Sequence, residues 1–150
     1  MIEFIDDVIS YLDSKFNSAT SLSKKPVGHL AYEKGLEPDA VTPFYTIQII
    51  DNSTSSEDFE KETVESCPIQ INVYGVKMKV NNVIKDSQTV SLILADLCKS
   101  YMEEFKYSSS KIVSMRRMMV SPALPYEDGS KSYYSVLRYN INLKVPYAMA

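Results

Sequence analysis

Hydrophobic positions along this chain alternate between helical and strand periods, and the changes of period mark out its elements. Ile2, Ile5, Val8, Ile9, Leu12 and Phe16 recur at three- and four-residue spacing with Glu3, Asp6, Asp7, Asp13 and Lys15 between them, which predicts an amphipathic helix. Its acidic residues gather toward the start and Lys15 stands near the end, as the helix dipole favours. Residues 17–43 lose the period and collect Pro26, Gly28, Gly35, Pro38 and Pro43, so they read as an irregular excursion over the surface or onto a neighbour. Residues 44–50 then alternate, with Tyr45, Ile47 and Ile49 on one side, and residues 68–74 do the same with Ile69, Ile71 and Val73. The two read as an antiparallel hairpin whose tip, residues 52–66, is long and acidic.

A second helix is written in Val90, Ile93, Leu94, Leu97, Cys98, Tyr101 and Phe105, with Asp86 or Ser87 placed to cap its start. Residues 112–120 follow as a strand whose alternation is blurred by Met115, Arg116, Arg117, Met118 and Met119. Pro122, Pro125, Asp128 and Gly129 then make a wide turn. The last strand has a mostly apolar side, Tyr133, Ser135, Leu137, Tyr139, Ile141, Leu143 and Val145, and a largely polar side, Tyr134, Val136, Arg138, Asn140, Asn142 and Lys144. The pattern predicts one α+β domain over residues 1–150, with a mainly antiparallel four-stranded sheet, element order α-β-β-α-β-β and helices packed on the sheet.

Composition narrows the class. At 150 residues and 45% hydrophobic the chain supports one good core. A formal net charge of −3 argues against a dedicated nucleic-acid binder. Cys67 and Cys98 do not make a disulfide framework, which favours a reducing compartment. The acidic N-terminal helix does not read as a secretory signal, and no apolar run is long enough to span a membrane, so the expectation is a soluble protein that is not exported.

The chemical inventory is sparse. His29 is the only histidine, which removes His-pair metal sites and leaves one candidate general base. A Cys–His enzyme built on Cys67 or Cys98 would need activating surroundings that the sequence does not supply, and Cys98 belongs to a buried stripe. Glu57, Asp58, Glu60, Glu62 and Glu65 match no calcium-loop spacing and read as a solvated hairpin tip, with docking to a basic partner as the functional alternative. Arg116, Arg117, Arg138 and Lys144 could share a basic sheet surface, but Tyr134 is the one aromatic beside them on the polar side of the last strand. With four glycines there is no phosphate-cradling loop, and no Gly-x-Ser-x-Gly elbow occurs. No cofactor is implied. The methionine-rich strand carries apolar side chains on both faces and needs a cover from a helix or a neighbouring subunit, while Tyr126, Tyr133, Tyr134 and Tyr147 suit interface anchors.

The element order, the hairpin FYTIQII…CPIQINVYG, the helix VSLILADLCKSYMEEF and the closing pair KIVSMRRMMV…YYSVLRYNINLKVPY resemble the tail terminator, or tail completion, proteins of long-tailed bacteriophages and related prophages. The resemblance implies a non-enzymatic α/β subunit of the virion, assembled in the host cytoplasm into a ring, typically a hexamer, at the head-proximal end of the tail tube. Such a ring ends tube polymerisation. Its implied partners are further copies of itself, the major tail tube protein and the head-closure or connector protein, with DNA only as cargo and no membrane. Candidate subunit-interface or lumen residues are Glu57, Asp58, Glu60, Glu62, Arg116, Arg117, Tyr134, Arg138, Asn140, Asn142 and Lys144. The competing expectation is a small α+β ligand- or nucleic-acid-binding module that uses the basic face of the last two strands.

Overall fold

A computed structural model of the chain describes residues 2–31, 41–50, 64–109, 111–126 and 132–144. The first amphipathic stripe forms helix α1 (Ile2–Asn17), with Phe4, Ile5, Val8, Leu12 and Phe16 buried. The second forms α2 (Ser87–Ser108). Asp86 caps α2, its Oδ1 accepting a 2.8 Å hydrogen bond from the Thr89 amide and so satisfying one of the orphan donors of the first turn. Between and after the helices the described strands are β1 (Val27–Leu30), β2 (Phe44–Ile49), β3 (Val64–Ser66), β4 (Ile69–Gly75), β5 (Met78–Val80), β6 (Val83–Lys85), β7 (Ile112–Val120), β8 (Leu124–Pro125) and β9 (Tyr133–Lys144).

Both anticipated strand pairings form: β2 with β4, and β7 with β9. The sheet nevertheless differs from a four-stranded antiparallel one. It is mixed and has seven strands, in the order β1-β2-β4-β9-β3, with β7 and β8 also paired to β9. Two of the differences share a cause. β3 and β4 follow one continuous register along β9, from Val64 opposite Lys144 to Gly75 opposite Tyr133, with the Cys67 amide bonded to the Ile141 carbonyl between them. The ribbon is interrupted at Cys67–Pro68, where the Pro68 carbonyl accepts from the Ile50 amide on the β2 side and Pro68 has no amide to return. On the other edge of β9, β7 and β8 are likewise successive pieces of one edge strand. The sheet is therefore five strands wide.

The fifth strand comes from residues 17–43, which are not wholly irregular. Within that span β1 pairs parallel to β2, Val27 opposite Phe44 through Leu30 opposite Ile47. Its position depends on Gly28, where a Cβ would collide with the Tyr45 ring. With that ring in place, Asp13 Oδ1 accepts from the Gly28 amide at 2.9 Å and from the Tyr45 hydroxyl at 2.7 Å, joining α1, β1 and β2. Burial first, and then the bond to Asp13, push the Tyr45 phenol far above its ordinary range, so it stays a donor. The β5–β6 hairpin turns at Asn81 and Asn82, both at positive φ, as the mirror-type turns of tight hairpins require and asparagine tolerates.

Both helices lie on one face of the sheet. α1 packs on β1 and α2, while α2 packs mainly on β4 and β9. The core is one cluster that joins both helices to Tyr45, Ile47, Ile69, Ile71, Val73, Leu137, Tyr139, Ile141 and Leu143. The inward side of β9 matches the apolar side read from its alternation as far as Leu143. Val145 and Tyr147 lie outside the described residues. Phe105 of α2 meets Phe4 and Tyr11 of α1, and above it Lys15 and Tyr11 both reach Glu104, at 2.8 and 3.1 Å. Of the acidic hairpin tip, residues 52–63 lie outside the described residues, and Val64–Ser66 continue the β4 ribbon as β3.

Gly75 brings α2 down onto β4. A Cβ there would stand 2.5 Å from the Ser91 amide nitrogen and 2.6 Å from the Ser87 carbonyl oxygen. Ser87 Oγ uses the close approach, donating to the Gly75 carbonyl at 2.8 Å and accepting from the Tyr133 amide at 3.1 Å. Gly75→Ala is expected to destabilise by about 2 kcal/mol or more, because the obstacles are backbone and the helix must shift; an unchanged denaturation midpoint would contradict this seating of α2. A second expectation concerns pH. The amide bond to Asp86 holds its carboxyl below the ordinary 3.8, so its stabilisation is complete above that value and is lost as pH falls through the depressed one. The difference in Tm between the native protein and Asp86→Ala should be full at neutral pH and shrink in acid.

Candidate assembly surface

The two helices leave two regions of the sheet without a helical cover. One is β7, which contacts α2 only slightly and is paired on one edge, to β9. Its nine residues follow β9 with two irregularities, between Ile112 and Ser114 and between Arg117 and Met119. Each bulge inserts a residue without a partner, Val113 in the first and Met118 in the second, and reverses the facing of the residues after it. These insertions are why the alternation in MRRMMV is blurred. Met115 alone on β7 reaches the core as a buried residue, while Val113 and Met118 are about half exposed, at 51% and 50%. Met119, Val120 and, on β8, Leu124 are exposed as well. The result is an apolar edge with no described cover.

The other region is the sheet face turned from the helices. At one end an aromatic row crosses it: the rings of Phe44 and Tyr74 stack at 4.4 Å, those of Tyr74 and Tyr134 at 5.2 Å, and His29 and Tyr126 meet Phe44 and Tyr74 edge-on. Register produces the row, because Phe44, Tyr74, Tyr134 and Leu124 stand directly opposite one another on successive strands. The sequence contained the aromatics without their alignment. A polar band lies next to it. Arg138 Nε donates to Gln70 Oε1 at 2.8 Å, Gln70 Nε2 donates to Asn72 Oδ1 at 2.9 Å, and Asn142 Nδ2 donates to Ser114 Oγ at 2.9 Å.

The candidate residues read from sequence therefore fall into three groups. Tyr134, Arg138, Asn140, Asn142 and Lys144 share the open face with Arg116, which stands opposite Asn140. Arg117 does not join them. It stands opposite Tyr139, whose side chain is in the core, so it extends on the helix side of the sheet where α2 no longer reaches. Arg116, Arg117, Arg138 and Lys144 thus do not form one basic surface, because neighbouring residues of a strand point to opposite faces. Glu57, Asp58, Glu60 and Glu62 lie outside the described residues. Sequence reasoning missed Val113, Val120 and Leu124 as surface residues and Gln70 as the partner of Arg138. Their apolar or strand-like character was visible, but the position of the helices relative to the edge was not.

Chemistry by reactive side chains finds little support among the described residues. Cys67 and Cys98 are both fully buried, and burial pushes their thiols up to about 11 and about 12. His29 contributes to neither shift. No group of three or more His, Cys, Asp or Glu side chains among the described residues is placed to hold a metal ion. No helix among them is long and apolar enough to cross a membrane. A cleft of about 240 Å³ lined by Ile5, Leu30, Ile47, Gln48 and Ile49 opens beside α1. At pH 8 both cysteines remain thiols shielded from solvent, so a thiol reagent should label neither in the native protein and both after denaturation. Rapid native labelling of either would contradict their placement.

Comparison with protein-family models gives no match to this chain, and none of the curated proteins matches it.

Proposed function

We propose that this protein is a structural subunit of a bacteriophage tail or neck that forms a ring at the head-proximal end of the tail, stops growth of the tail tube and joins it to the head connector. The observation that supports this reading most directly is β7, an edge strand with Val113, Met118, Met119 and Val120 exposed. Exposed apolar edge strands invite pairing or packing with another chain, and monomeric proteins blunt them. Covering four half-exposed side chains would contribute about 1 kcal/mol each. Copies of the chain, the major tail tube protein and the head-closure protein are the partners on this reading, the virion is its location, and DNA passes as cargo.

The alternative, a ligand- or nucleic-acid-binding module on the basic face of the last strands, has Arg116, Arg138 and Tyr134 on one open face in its favour. Against it, the ring faces on which a base would stack are taken by Phe44, Tyr74 and Tyr134 themselves, and Arg138 is engaged by Gln70.

Added to a growing tail tube protein, the subunit should yield tubes capped at one end in electron micrographs and a ring-sized species by light scattering. Tubes that lengthen unchanged, with bare ends at saturating subunit, would refute the proposal. Met118→Asp with Val120→Asp should abolish capping while the protein stays folded, at a cost of about 1–2 kcal/mol of folding stability, since each side chain is only half covered.

A further inference from the structure

The charge of the chain is divided across the width of the sheet. α1 carries Glu3, Asp6, Asp7 and Asp13 against one lysine, Lys15. Residues 111–126 and 132–144, which make β7, β8 and β9, contain Lys111, Arg116, Arg117, Arg138 and Lys144 and no acidic residue. α1 lies over β1 at one side of the sheet, and β7 is the edge strand at the other. Asp6 stands seven residues before Asp13, which is two helical turns, so it occupies the flank from which Asp13 reaches Gly28 of β1. That flank is turned from α2. Glu3 and Asp6 are exposed there with no ion pair among the described residues, and at the same edge of the sheet Val27 of β1, opposite Phe44, is 46% exposed on the face turned from the helices. At the opposite edge Arg117 is exposed on the helix side of the sheet, Arg116 on the other, and Val113, Met118 and Val120 are apolar around them.

The geometry points to a head-to-tail contact between two copies of this chain, in which the β7 edge of one copy seats against the β1 edge of the next, Arg117 toward Glu3 and Asp6 on the helix side, and Arg116 with the apolar residues of β7 toward the edge that carries Val27. The inference rests on the assembly reading above and names the surfaces that reading leaves open. Charge complementarity selects the occupant: the molecule carries a basic, apolar edge and an acidic, partly apolar flank on opposite sides, so each copy offers what the next one lacks. A contact joining two different surfaces leaves one of each free after every addition. It therefore propagates to a closed ring or an open filament and does not stop at a twofold dimer.

The test is a charge exchange on the full chain, read by light scattering and by capping of tail tubes. Arg116→Glu with Arg117→Glu, and separately Glu3→Arg with Asp6→Arg, should each weaken assembly on the order of 100-fold or more, because like charges then face each other. An equimolar mixture of the two variants should restore it, since alternating copies again present opposite charges at every contact. Native-like circular dichroism and Tm in each variant exclude misfolding, as all four positions are exposed. Wild-type assembly that both variants reproduce would overturn these surfaces and leave the assembly proposal standing. A wild-type protein that neither self-associates nor caps tubes would overturn both, and a twofold dimer would overturn the head-to-tail contact.

Discussion

The hydrogen-bonding of β9 on both of its edges is the interaction on which the rest of this structure depends. Along one edge it holds the β4 ribbon and its continuation in β3, and along the other it holds β7 and β8. A twelve-residue strand buried along its inward side sets the register of β3, β4, β7 and β8 directly. A slip of one residue would turn Leu137, Tyr139, Ile141 and Leu143 outward together, which the core does not permit. From that register follow the aromatic row, the Arg138–Gln70 pair and the separation of Arg116 from Arg117.

A second constraint is width. A helix with its side chains is about 10 Å across and strands stand about 4.8 Å apart, so one helix covers about two strands. Two helices on one face therefore cover four of the five strands, and the packing places α1 over the β1 side and α2 over β4 and β9. β7 is the strand left over. Its bulges and its exposed valines and methionines are consistent with an edge kept from regular pairing and yet apolar enough to receive a neighbour. The part of the sheet that the fold does not need covered is thus the part best suited to assembly.

The same packing explains why both thiols are shielded from solvent. Cys98 lies within the stripe that seats α2, and Cys67 sits in the ladder between β3 and β4, so both thiols contribute to the core. Tyr139 is 1% exposed and its hydroxyl has no hydrogen-bond partner among the described residues, a cost that the burial of its ring in the core offsets.

Periodicity determined both helices, the β2–β4 hairpin and the inward side of β9, because each depends on the spacing of residues within one segment, whereas the choice of Asp86 over Ser87 as the cap came from the structure. Composition and the missing motifs likewise narrowed the chemistry without a structure. β1 was hidden because a four-residue strand, VGHL, has too few alternating positions to stand out, and its place is secured by Tyr45 and Asp13, far away in sequence. The β5–β6 turn at Asn81–Asn82 was legible in principle, since paired asparagines between short apolar runs favour positive φ. Which strand remains uncovered, which face each arginine takes and which aromatics align were decided only by tertiary structure. They depend on pairing between segments and on how many strands two helices can cover, and neither is encoded in the spacing of any one segment.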